Sequence, residues 1–73
     1  MDRITEVAER RRVILSALPP EFRLIARQEA TYLMNTAPGW RPSDALARAV
    51  QHVQAGHLDS PVAAAHLERV RDM

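Results

Sequence analysis

Four interruptions decide what this chain can fold into: Leu18-Pro19-Pro20-Glu21, Thr36-Ala37-Pro38-Gly39, Gly56 and Asp59-Ser60-Pro61. A proline removes a backbone donor and pushes the residue before it out of the helical region. Glycine supplies the left-handed turn that ends many helices. Between the interruptions, apolar residues recur with helical spacing, and no stretch shows the strict alternation of a half-buried strand. The sequence therefore predicts four helices. The first runs from about Asp2, as N-cap, to Leu18 and stops at Pro19. The second runs from Pro20 to about Thr36, with Pro20 in its first turn and Glu21 favourable to its dipole. The third opens at Ser43 as N-cap and closes at Gly56. The fourth opens on Ser60 as N-cap with Pro61 as first helical residue, and runs to the terminus.

At about 100° per residue, the first helix places Ile4, Val7, Ala8, Ile14, Leu15 and Leu18 on one face. The second does the same with Phe22, Ile25, Ala26, Tyr32, Leu33 and Ala37. The third gathers Ala45, Leu46, Ala49, Val50 and Val53, and the fourth Val62, Ala63, His66, Leu67, Val70 and Met73. Arg11 stands at the centre of the first face and Glu29 at the centre of the second. If the chain reverses about Pro20, residues whose numbers sum to 40 lie opposite each other, and Arg11 and Glu29 are such a pair. The expectation is an antiparallel hairpin over 2–37 with Arg11–Glu29 as an internal charge pair that locks its register. A second helical pair over 43–73 completes an all-α bundle of about four helices, one domain spanning 1–73.

Size and composition narrow the function. A 73-residue chain has little margin for a core, so tight packing, oligomerisation or a partner must supply the rest. There is no cysteine, which removes disulfides and thiolate zinc sites. Ten basic against nine acidic residues is too balanced for a protein that binds nucleic acid chiefly by counterion release. The N-terminus enters an amphipathic helix rather than a signal sequence, and no run has the length of a membrane span. The expected compartment is the cytoplasm. All ten basic residues are arginine and twelve residues are alanine, a coding bias of GC-rich bacterial or phage genomes.

Motifs that carry chemistry are weak. Arg10-Arg11-Arg12 points in three directions on a helix, and with Glu6 and Glu9 within one turn it reads as a salt-laced solvated face. Arg23 and Arg27 lie one turn apart on the outside of the second helix and join Arg12 in a modest basic surface. A DNA-reading helix–turn–helix around Gly56 would present Pro61-Val62-Ala63-Ala64-Ala65, which offers no base-reading donors. His52, His57 and His66 lack the spacing that puts two imidazoles on one helical face. Neither catalytic residues, nor a metal, nor a cofactor, nor a small-molecule substrate is expected. Val13, Leu24 and Met34 fall outside the core faces, and Trp40 sits beside a Pro-Gly turn. With Arg12, Arg23 and Arg27 these are the candidate partner-binding residues. The function expected is a small non-enzymatic interaction module, an adaptor, antiactivator or inhibitor, or assembly subunit. Its partner would be another protein, a second copy of this chain included. The alternative is a nucleic-acid-binding regulator using the arginines.

Overall fold

A computed structural model describes residues 3–72, with side chains from Glu6 onward. Four helices form in the expected order: α1 (Arg3–Leu15), α2 (Pro20–Thr36), α3 (Pro42–Ala55) and α4 (Pro61–Arg71). Among the described residues there is no strand, and the helices pack as a small all-α bundle. The Asp2 cap and Met73 lie outside the described residues.

Three of the four helices open on a proline, Pro20, Pro42 and Pro61. That first position needs no donor, and the proline ring already holds the helical φ. This corrects the start of α3: its N-cap is Arg41, whose carbonyl accepts from the Ala45 N–H at 2.9 Å, so Ser43 lies inside the first turn. The expected end at Gly56 holds, with φ 72° in the left-handed region. So does the start of α4, where Ser60 Oγ accepts from the Ala63 N–H at 3.2 Å. The first helix ends at Leu15, three residues before the expected stop. Its end and the turn after it are held by side chains: Ser16 Oγ donates to the Val13 carbonyl, and Arg23 Nε donates to the carbonyls of Leu15 (3.2 Å) and, in the turn, Leu18 (3.1 Å).

The core is a single cluster in which α3 buries all five residues of its predicted face, Ala45, Leu46, Ala49, Val50 and Val53. Opposite them α2 contributes Ile25, Ala26, Ala30 and Leu33, and α4 contributes Ala63 and Leu67. Leu18 is buried from the turn between α1 and α2. α2 packs on α3 and α4, whereas α1 packs on α3. The two N-terminal helices are therefore consecutive in the chain without lying face to face. Pro19 explains this, since its extended backbone (φ −57°, ψ 153°) lengthens the turn and carries α1 aside. Among the described side chains of α1, half-buried Ile14 and Leu15 anchor its end, while Val7 and Ala8, expected in the core, are exposed; the side chain of Ile4 lies outside the description. On α4, Val62 is likewise exposed rather than buried. The molecule measures 43 × 27 × 15 Å between Cα extremes and has a radius of gyration of 12.3 Å. A compact chain of this length would have a radius of gyration of about 11 Å.

Candidate functional site

The two charges set in the apolar stripes have separate fates. Glu29 is fully buried on α2, between Ile25, Ala26, Ala30 and Leu33. Such a carboxylate must find donors, because an unpaired buried charge is far more costly than a paired one. It finds them at the start of α4. Its Oε1 accepts from the Ser60 N–H at 2.8 Å, and its Oε2 from the Asp59 N–H at 2.9 Å. His52 Nδ1 lies 2.5 Å from the same Oε2. An ionised carboxylate only accepts, so Nδ1 carries the proton of that bond. Asp59 Oδ2 stands 3.9 Å from the same nitrogen. Burial pushes the Glu29 carboxyl up, but the bonds from Asp59, His52 and Ser60, with the charge of His52, outweigh it and hold the group below its ordinary value.

The register-lock expectation is thereby corrected. Glu29 pairs with His52 and the N-terminus of α4, not with Arg11, which is exposed on α1. The physical reason is the placement of α1: its docking on α3 takes Arg11 away from the buried face of α2.

Glu29, His52 and Asp59 have the side-chain types of metal ligands and converge within 4.8 Å. The arrangement is nevertheless that of a helix-start clamp. Two backbone donors point at Glu29 from the positive end of α4, an environment that suits an anion and opposes a cation. Sequence reasoning missed this cluster, although both halves of the signal were present. Glu29 was an isolated carboxylate in an apolar stripe, and Asp59-Ser60-Pro61 was a helix start with donors to satisfy. His66, placed by its spacing on the apolar face of α4, is half-buried with Nδ1 3.0 Å from Gln28 Oε1.

Where α1 diverges from α2 above the start of α3, an open groove forms, with a volume of about 600 Å³. Leu15, Ala30, Met34 and Leu46 supply apolar floor and walls. Arg11, Arg12, Arg23 and Arg27 surround them, and among the described residues no carboxylate lines the groove. Among the described residues no arginine makes an ion pair, so the expected pairing of the α1 arginines with Glu6 and Glu9 does not appear. Four of the seven candidate partner-binding residues, Met34, Arg12, Arg23 and Arg27, thus come together on this groove. Arg23 has a structural duty there as well, since its Nε holds the turn at the base of α1.

The other three candidates lie elsewhere. Val13 (69% exposed) and Leu24 (53%) are outside the groove lining. Trp40 is half-buried, packs against the core and has the Arg48 guanidinium 6.0 Å from its ring centroid, the outer range of a cation–π contact. Its hydrophobic surface is largely occupied by its own fold. No helix of the described residues is long and apolar enough to cross a membrane. Comparison with known proteins gives no family model, curated protein or solved structure that matches the chain.

Proposed function

We propose that this protein is a small binding module, non-enzymatic and cytoplasmic, that docks a segment of another protein in the groove between α1 and α2. One observation carries this reading: an open concave surface with an apolar floor and four arginines that have no ion-pair partner among the described residues. Apolar floors give affinity through area removed from water, and a charged rim gives orientation and partner choice. Met34, partly exposed at 39% on the groove, supplies the adaptable contact that binding surfaces use. The Glu29–His52 pair has residue types that serve as general bases, but its carboxylate is fully engaged by the start of α4. The arginines also suit phosphates, which keeps nucleic acid as the second reading. Against it, no aromatic side chain lines the groove to stack on a base.

The test is differential capture. The protein and two variants, Met34→Asp in the groove and Leu24→Asp outside it, are used as bait in an extract of the native host. The expected result is a partner retained by the parent and by Leu24→Asp and lost with Met34→Asp. A partner whose capture ignores Met34→Asp moves the binding surface elsewhere. Capture that disappears on nuclease treatment favours the nucleic-acid reading.

A further inference from the structure

The groove's construction also limits what can occupy it. Its long walls are helices. Ala30 and Met34 are one turn apart on α2, and Ala8, Arg12 and Leu15 recur at helical spacing along α1. A channel between two helical ridges accepts a third helix, whose own ridge of residues at i, i+3, i+4 and i+7 fills it. The floor is apolar, so one face of that helix must be apolar. The charges on the rim are cationic: Arg11 and Arg12 stand on the α1 side and Arg23 and Arg27 on the α2 side, with no acidic residue in the lining among the described residues. Overall the chain carries only one net positive charge, so this concentration of cations is local. Among the described residues their guanidiniums are the only charges in the lining, and they lack ionic partners. An incoming cationic helix would be repelled, and a neutral one would leave the arginines partly desolvated without compensation.

We propose that the occupant is an acidic amphipathic helix of a partner protein. Its apolar stripe lies on Leu15, Met34 and Leu46, and its flanking carboxylates meet Arg11, Arg12 and Arg27. Arginine suits this task because its planar fork binds a carboxylate through two parallel hydrogen bonds. Arg23 contributes charge while its Nε holds the α1–α2 turn, so the groove wall and that turn share one residue. The proposal rests on the docking reading above and adds the partner's chemistry to it.

The full chain is titrated against three labelled peptides of about 18 residues, five helical turns each. The first has leucines at helical spacing flanked by glutamates. The second keeps the leucines and replaces every glutamate with lysine. The third keeps the glutamates and replaces the leucines with serine. Fluorescence anisotropy is read at roughly 0.15 M ionic strength, where exposed charges are already screened beyond about 8 Å. The first peptide is expected to bind, and the other two to bind at least about tenfold more weakly. The double variant Arg12→Glu/Arg27→Glu is expected to lose the first peptide and gain the lysine peptide. That exchange of preference also rules out misfolding as the cause of the loss. Leu24→Asp leaves binding unchanged.

If the lysine peptide binds the parent as well as the glutamate peptide does, and Met34→Asp abolishes both, the groove is a docking site but the acidic partner is wrong. Equal binding of the serine peptide, or full displacement by inorganic phosphate, makes the groove a simple anion site. Stronger binding of a single-stranded DNA probe than of any peptide makes it a nucleic-acid surface. Either of those last results, or no binding by any peptide, overturns both the acidic helix and the docking reading.

Discussion

The corner at Glu29 and the groove beside it are built on the same helix, with Glu29 and Ala30 as neighbours in the chain, yet they treat charge in opposite ways. At the corner, a buried carboxylate meets two backbone N–H groups and an imidazole. In the groove, Arg11, Arg12 and Arg27 face solvent and Arg23 is half-buried, and none of the four has an ion-pair partner among the described residues. Charge interrupting an apolar stripe therefore has two meanings here. Where the fold supplies the partner, the charge fixes architecture. Where it does not, the charge remains available to something outside the chain.

The difference can be broken or sharpened by substitution. The largest effect is expected from Glu29→Ala, which strands the buried Ser60 N–H, the part-buried Asp59 N–H and an imidazole at once. Removal of one partner from a buried polar pair costs about 3–5 kcal/mol, a large share of the stability of a small domain. Thermal unfolding should shift down by about 15 °C or more, or lose its cooperativity. A shift of only a few degrees would mean that α4 does not depend on this corner.

Acid should act on the same group more gradually. The Glu29 carboxyl is held below its ordinary value of 4.5 in the folded chain and returns to it on unfolding. As pH falls, the unfolded state takes up the proton first. The corner's stabilisation is therefore complete above the unfolded value and is lost as pH drops through the lower folded one. Melting temperatures measured from neutral pH into this acid range should fall for the parent. In Glu29→Gln the slope should be shallower, although the whole curve starts lower.

Arg23→Ala comes next. It removes the side chain that bonds the Leu15 and Leu18 carbonyls, at a cost of about 1 kcal/mol. The loss should be concentrated in α1, read as faster amide hydrogen exchange there than in α3. The smallest effect belongs to Arg11→Ala. An exposed arginine without an ion-pair partner should change stability by no more than about 0.5 kcal/mol, measured by urea titration. A loss comparable to that of Glu29→Ala would restore Arg11 as the partner of Glu29 in solution.

Much of the helical framework is legible in the chain because it depends on local chemistry. Proline and glycine mark the breaks, Ser60 caps α4, and the periodicity of α3 names every residue it buries. What periodicity cannot supply is the neighbour. It places Glu29 at the middle of a buried face but does not say whether Arg11 or His52 will meet it. The sum-to-40 symmetry assumed a tight reversal at Pro20, and the extended Pro19 loosens that reversal. The same displacement opens the groove. Arg12, Arg23, Arg27 and Met34 could be chosen from the sequence as outward-facing residues, but their convergence depends on where α1 docks. Val13, Leu24 and Trp40 passed the same outward-facing criterion and do not share the groove, since exposure alone carries no information about position around the bundle.

The clamp at Glu29 joins backbone donors to a side chain thirty residues earlier in the chain. The first turn of α4 is therefore completed by a residue that the helix does not contain. A fragment comprising only residues 43–73 would retain the Ser60 cap but lose that residue. Its final helix should then remain a fluctuating coil until α2 is supplied, even as a separate peptide.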